Sequence, residues 1–456
     1  MQESIGPTLT RLSEFLTKVT SEDLPTEVIE RERRHVLDTL GCMLYGATTP
    51  WVEHVHRTLV RLDESGQVSI PGMSTSLPPA RAALVGGTAA HAMDFDDHCQ
   101  DAGVHAGSAT VPTALAAAVT ADRPVSGDEF LTAVAAGVEV GIRSGFGIGY
   151  GSVGQGWHIA GWTGAFAGAA TTGMLFDLDQ PTQAHALAVA GTQGCGLLGA
   201  QYGAAVKRFH MGKAAEAGYL GAGLAREGLT GDTQIFGERY GAIGPTMSDD
   251  YDTNAVTAAL GSEYRLLDKL VFKPFPSVGQ VHAPVDAVRA ILEGAEFDGS
   301  RVNRVRCRVT PTVKSHVGWK YEPTDVMAAQ ANIGYAVASL LVDGELTIES
   351  FTADAIDRPA VLDRVDDIEV IVDESLAGET FGAVAEVEVG DEWYEQSIET
   401  PRGYPENPLS DEELEEKFRR QASHAIEPSA VNHVIELVRE LPDLEDITVL
   451  VEPLTP

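Results

Sequence analysis

Positive charge is what this chain has least of. Its 456 residues carry 32 Lys and Arg against 67 Asp and Glu, a formal net charge of −35. Such a surface excludes nucleic acid and anionic membrane as partners. Its self-repulsion destabilises the folded state unless salt screens it. The acid is scattered through segments such as DRVDDIEVIVDE and LSDEELEEKF, a pattern of solvation more than of docking to a basic partner. It points to a salt-rich cytoplasm, where molar salt shortens the screening length to about 3 Å. Cysteine is also scarce: Cys42, Cys99, Cys195 and Cys307 stand far apart with no CxxC pair, which excludes a disulfide framework and points to a reducing compartment. The start, MQESIGPTLTRL, lacks a basic stretch and an apolar core, so no secretory signal is expected and the location is expected to be cytoplasmic. The uncharged run from Ala160 to Phe176 is mostly Gly, Ala and Thr, which suits a buried helix in close helix contacts better than a membrane span.

What is present falls into two textures. From about Gly6 to Gly261, helical segments alternate with short loops. EVIERERRHVLDTLGCMLYG keeps Val28, Ile29, Val36, Leu37, Leu40 and Leu44 on helical spacing, with Gly46 as the expected stop. SGDEFLTAVAAGVEVGIRSG opens on a Ser126 cap. Most of the 47 glycines lie in this half, where they let helix backbones approach closely. After Lys269 the pattern changes. RVNRVRCRVTP alternates Val and Arg, DDIEVIVDE reads as a strand, and AVAEVEVGDEWYEQSIET reads as a hairpin turning at Gly390 and Asp391. Helices are expected at Pro284 to Leu292 and near Met327 to Leu341. From Ser410, with Glu413 completing a capping box, the chain is helical again. The expected class is mostly α: a helical domain over 1–266, a smaller α+β domain over 267–403, and a segment over 404–456 returning to the helical domain.

Candidate chemistry concentrates in HAMDFDDHCQDAGVHAGS, His91 to Ser108, which places three His and four Asp between two apolar, Ala-rich runs. If the preceding helix extends to about Asp97, Asp94 and His98 lie one turn apart with Asp97 beside Asp94. A carboxylate within reach of an imidazole suits general acid–base work. A second cluster, AAVKRFHMGKAA, carries Lys207, Arg208, His210 and Lys213 without an acid, a local inversion of charge that suits an anionic ligand. Two further segments share this look: QGWHIAGWTGAF with His158, and KPFPSVGQVHAPVDAV with Lys273 and His282 around Pro274 and Pro276.

Taken together, HAMDFDDH with HAGSATVPTALA, GWHIAGWTGAF, VKRFHMGKAAEAG, FKPFPSVGQVH and AQANIGYAVA, in this order and spacing, resemble the MmgE/PrpD family over nearly the whole chain. That family includes 2-methylcitrate dehydratases, cis-aconitate decarboxylases and iminodisuccinate epimerases. The resemblance implies a large all-helical domain built from both ends of the chain, a smaller α+β lid domain, a homodimer, a small polycarboxylate substrate and no metal or organic cofactor. It places Asp94, His105, His158, Lys207, His282 and Tyr335 at the family's pocket positions. The sequence departs from the family pattern at QANIGY, around Tyr335, in one extra residue in the CQDAGV loop, and at His98, where many members have Thr.

The reactions these relatives catalyse share the need to tolerate an enolate-like carbanion beside a carboxylate. Lys207, His158, His282, Lys273 and His98 are expected to bind substrate and offset that charge. One of Asp94 and His105 is expected to act as base, and a protonated His or Tyr335 as proton donor. Dehydration of 2-methylcitrate, a step of propionate metabolism, is the first expectation; cis-aconitate decarboxylation or epimerisation of an imino-dicarboxylate in the same pocket is the alternative. Two other classes stand beside these. His91, Asp94, Asp97, His98 and His105 contain enough donors for a divalent metal, although nearby cations oppose one, and a non-catalytic polycarboxylate binder would show stabilisation without turnover.

Overall fold

The computed structural model describes residues 4–63, 65–201, 203–376 and 382–456; Met1 to Glu3, where the amino-terminal reading begins, lie outside them. The chain divides into two compact units. The first comprises Met1–Ala200, Ala205–Phe272 and Ser410–Pro456; the second comprises Gln201–Ala204 and Lys273–Leu409. Apart from the short excursion at Gln201–Ala204, the breaks fall at Phe272/Lys273 and Leu409/Ser410, where the sequence suggests 266/267 and 403/404.

The first unit is helical apart from a two-residue ladder of β1 (Val68–Ser69) and β2 (Ser76–Leu77). Its centre is a stack of apolar helices: Pro79–Ala90, Gly107–Thr120, Gly127–Ile148, Ala160–Leu175, Gln180–Gly191 and Val206–Arg226. Small residues set their spacing. A Cβ on Gly218 would stand 2.6 Å from the Gly168 carbonyl carbon, so the Ala160–Leu175 and Val206–Arg226 helices touch backbone to backbone. Gly46 has the same use and is not a stop. The Thr26–Ala47 helix runs past it, and a Cβ there would lie 1.9 Å from the Ala89 carbonyl oxygen. Gly127–Ile148 is long and apolar enough to cross a membrane, but 94% of its apolar window is buried inside the protein. Its start is fixed by Ser126, whose side chain accepts from the Glu129 N–H while Glu129 reaches back to the Ser126 N–H. The same reciprocal cap, Ser410 with Glu413, starts the Asp411–Ala422 helix.

The second unit is α+β. Its sheet has the order β4-β3-β5-β6, where β3 is Arg304–Val309, β4 Ile368–Val372, β5 Ala383–Val389 and β6 Glu392–Ile398. β3 and β4 are parallel, and the other pairs are antiparallel. Alternation along β3 buries Val305, Cys307 and Val309 and turns the arginines outward. Arg306 pairs with Glu369 and Glu386, and Arg308 with Asp373, Glu386 and Glu395. Part of the acid excess is therefore spent on this sheet face. The hairpin turns at Gly390, which has φ +63°. The helix expected near Met327 to Leu341 is two helices, Val326–Gln330 and Ile333–Asp343. Asn332 is extended between them, and its side chain accepts from the Tyr335 N–H, restarting the helix as a cap.

Candidate active site

The helix entering the His/Asp segment does not reach Asp97. It ends at Ala90, and Asp94 has φ +53°, a left-handed conformation that Asp tolerates better than most residues but that no helix continues through. Asp94 and His98 therefore do not share a helical face, and the three neighbouring carboxylates point to three different tasks.

Asp94 takes the ammonium of Lys207, Nζ to Oδ2 2.8 Å, from the Val206–Arg226 helix. Asp96 is buried and gathers three donors on Oδ2: Ser108 Oγ at 2.6 Å, His91 Nδ1 at 2.9 Å and His105 Nδ1 at 3.2 Å. Burial pushes the Asp96 carboxyl up, but the His91 and His105 rings and their hydrogen bonds outweigh it and hold it well below the usual range. Asp97 turns the other way and caps the Gly107–Thr120 helix, accepting from the N–H groups of Ala106 at 3.0 Å and Gly107 at 2.9 Å. It thereby satisfies donors that a helix start leaves open.

These contacts fix the state of His105. Its Nδ1 is 2.8 Å from the Asp97 carbonyl oxygen and 3.2 Å from Asp96 Oδ2. Both are acceptors, so Nδ1 carries a hydrogen and Nε2 is the nitrogen left for chemistry. A carboxylate behind an imidazole is the arrangement that orients a general acid or base.

The remaining imidazoles continue from this point. The His91 ring is 4.5 Å from His105 and 6.0 Å from His158, the His98 ring 6.4 Å from His105, and the His158 ring 5.1 Å from His210. His98 is held by a two-way backbone bridge to Val271. Burial, against the pull of Asp96, lowers His91 to about 4. Burial together with Lys207 and the neighbouring imidazoles holds His158 well below its ordinary value. Both are neutral near pH 7.

Behind the loop lies a second buried group. His35 on the Thr26–Ala47 helix sits between Glu32, Nδ1 to Oε1 2.8 Å, and Asp97, Nε2 to Oδ1 3.0 Å. Burial opposes its charge, but Glu32 and Asp97 together raise it well above the ordinary value. Gly107 admits this packing: a Cβ there would meet Thr39 Oγ1 at 2.4 Å, His35 Nε2 at 2.5 Å and Asp97 Oδ1 at 2.6 Å. Lys417, from the Asp411–Ala422 helix, reaches Asp38 at 2.6 Å and donates to the Phe95 carbonyl oxygen at 2.9 Å.

Of the residues singled out from sequence, Asp94, His98, His105, His158 and Lys207 are brought together in the first unit. Lys273, His282 and Tyr335 belong to the second unit, where all three are buried. His282 Nε2 is 3.3 Å from the Ser277 carbonyl oxygen. The Tyr335 hydroxyl donates to the Ser350 carbonyl oxygen, and its ring packs against Tyr321 and Phe351. Its hydrogen is directed to the backbone here.

The positive island is acid-free only in sequence. The fold brings Asp94 to Lys207, and the next helical turn supplies Glu216 to Lys213, while Arg208 donates to the Ala92 carbonyl oxygen at 3.0 Å and braces the loop. Sequence reasoning missed Asp96, Ser108 and the Glu32–His35 pair. The DFDD run did signal Asp96, but the assumed helix turned attention to its neighbours. Among the described residues, His91, Asp96 and His105 place potential metal-ligand atoms within 4.8 Å of one another. One Asp96 oxygen is shared by two ring nitrogens and a hydroxyl in a hydrogen-bonding arrangement, and the Lys207 charge acts on His91.

Residues 10–254 match the profile of the MmgE/PrpD N-terminal domain, and residues 275–443 that of the MmgE/PrpD C-terminal domain. The chain is 30% identical over 465 residues to a cis-aconitate decarboxylase of Aspergillus terreus, covering 96% of this chain and 94% of that protein. It is 31% identical over 454 residues to the human cis-aconitate decarboxylase, covering 94% and 90%. A cis-aconitate decarboxylase-like protein, oryM, of Aspergillus oryzae is 29% identical over 468 residues, covering 98% and 96%.

Proposed function

Because the chain belongs to the MmgE/PrpD family and is a lyase, we propose that its substrate is a small polycarboxylate and its reaction the decarboxylation of cis-aconitate. The observation that carries this choice over dehydration of 2-methylcitrate is the near full-length similarity to proteins named cis-aconitate decarboxylase. The site chemistry supports it. Lys207 and neutral His158 offer N–H donors to two carboxylates. Breaking the bond to the third carboxylate releases CO₂ and leaves its electron pair on carbon, delocalised towards a remaining carboxylate that Lys207 stabilises. His105, in its doubly protonated form, delivers one proton from Nε2 to the delocalised anion at the carbon beside that remaining carboxylate. Charge and atoms balance: a tricarboxylate and one proton become an unsaturated dicarboxylate and CO₂. Asp96 keeps His105 oriented through the transfer, and Asp94 holds Lys207 in place. Substrate binding by His98, Lys273 and His282 belongs to the same proposal; alanine at each is expected to raise KM more than it lowers kcat.

The test is a panel of cis-aconitate, 2-methylcitrate, citrate and iminodisuccinate in molar salt, with and without a chelator, reading CO₂ release and product. CO₂ from cis-aconitate, unaffected by chelator, is expected. Water loss from 2-methylcitrate with no CO₂ from cis-aconitate would replace the decarboxylase by a hydro-lyase, and a chelator-sensitive rate would bring a metal into the His91, Asp96 and His105 group. A homodimer working in a salt-rich cytoplasm completes the proposal, the charge of −35 supporting the salt requirement. Thermal melting in molar KCl and in dilute buffer checks it, and equal stability in both would end it.

A further inference from the structure

His210 lies outside the chemistry described so far, yet it touches a residue within it. Its Nδ1 is 3.0 Å from His158 Nδ1, and the two rings meet at 49° with centroids 5.1 Å apart. Two ring nitrogens at that distance share one hydrogen: one donates and the other offers a lone pair. Gly196 fixes the pair from behind. The His158 N–H donates to its carbonyl oxygen at 3.1 Å. With φ +134°, a Cβ there would stand 2.9 Å from His210 Nδ1 and 3.1 Å from His158 Cβ, so the rings occupy space that any other residue would fill.

The direction of this hydrogen bond decides what His158 can do. A neutral imidazole has one N–H. If His158 used it on His210, its Nε2 would face an incoming carboxylate with a lone pair, a repulsive meeting. We propose that His210 is the positioning residue that sets the His158 tautomer: His210 Nδ1–H donates to His158 Nδ1, and His158 therefore presents Nε2–H to a substrate carboxylate. This rests on the polycarboxylate reading above. Burial and then Lys207 lower His210, and burial with Lys207 also keeps His158 neutral, so neither ring escapes the choice by taking a second proton near pH 7. The device gives a donor beside Lys207 without a second positive charge to repel it.

The experiment uses the full chain, labelled with ¹⁵N-histidine and free of ligand, with the His158 signals identified by their loss in His158→Gln. Nitrogen shifts are expected to show Nε2 protonated and Nδ1 bare at His158 in the parent protein and in His210→Asn, whose amide can supply the same hydrogen, and a mixture of tautomers in His210→Leu. With cis-aconitate as the probe, His210→Leu is expected to raise KM about tenfold or more, the worth of one hydrogen bond to a charged group. His210→Asn is expected to recover most of that loss while kcat changes little between the two. Nδ1 protonated at His158 in the parent protein, or Leu and Asn variants equally impaired, would overturn the proposal. If no polycarboxylate is turned over, the substrate reading fails, while the nitrogen shifts still decide the direction of the hydrogen bond.

Discussion

His35 and His91 are both sealed from solvent and both touch carboxylates, yet they hold opposite charge states. His35 lies between two acids, Glu32 and Asp97, with no second imidazole on either carboxylate among the described residues, with Asp38 and Lys417 paired nearby, and is raised well above its ordinary value. His91 shares the single Asp96 with His105 and feels Lys207, and it is lowered to about 4. Burial is the same, so the ratio of carboxylates to imidazoles decides. One carboxylate behind two rings gives oriented, neutral or exchangeable imidazoles suited to proton transfer. Two carboxylates around one ring give a fixed imidazolium, which suits bracing.

The largest effect expected from breaking this contrast is on turnover. His105→Ala should lower kcat about 10³-fold, as loss of a positioned acid–base group does. Asp96→Asn should lower it about 10²-fold or more, because an amide cannot accept from two Nδ1–H groups and a hydroxyl at once. Steady-state CO₂ release checks both, with circular dichroism confirming that each variant folds; near-parental rates from either would remove His105 from its role. Next comes the packing that joins the two groups. Gly107→Ala drives a methyl into Thr39, His35 and Asp97 and should cost about 1–3 kcal/mol, read by urea unfolding, together with a fall in kcat.

The smallest effect sharpens the comparison by pH. The folded pKa of His35 lies above the ordinary 6.5, so the stability its proton brings is complete below 6.5 and is lost as pH rises through the folded value. For His91 the sign reverses. It is neutral in the fold down to about 4, the unfolded chain takes up the proton first, and stability falls as pH drops from 6.5 towards 4. Glu32→Gln removes one of the two acids that raise His35, and the alkaline loss should begin at lower pH while the acid limb stays in place. Urea midpoints across the pH range measure this; an unmoved alkaline limb would mean that His35 is not an imidazolium.

Local rules carried much of this in the sequence. The Ser126 and Ser410 capping boxes, the Val and Arg alternation of β3, the hairpin at Gly390 and the Gly- and Ala-rich helices all rest on interactions within a few residues, which spacing reports directly. The His and Asp crowding marked the site. What spacing did not report was the division of labour within DFDD, because the helix stops at Ala90 and the left-handed Asp94 keeps any helical register from running on to Asp97. Nor did it report Glu32 and His35, which join Asp97 across more than sixty positions of chain, or the acid, Asp94, that the fold brings to Lys207. Long-range pairing of charges leaves no period to read.

The Lys417 contact also sets an order in time. The carbonyl of Phe95 waits for an ammonium 322 positions further along the chain. During synthesis the histidine- and aspartate-rich loop leaves the ribosome early, with its own hydrogen bonds available but one anchor missing, and that anchor arrives only after the whole second unit has been made. A nascent or truncated chain that stops short of Lys417 therefore still lacks this anchor of the loop, although it contains every proton-handling side chain named above.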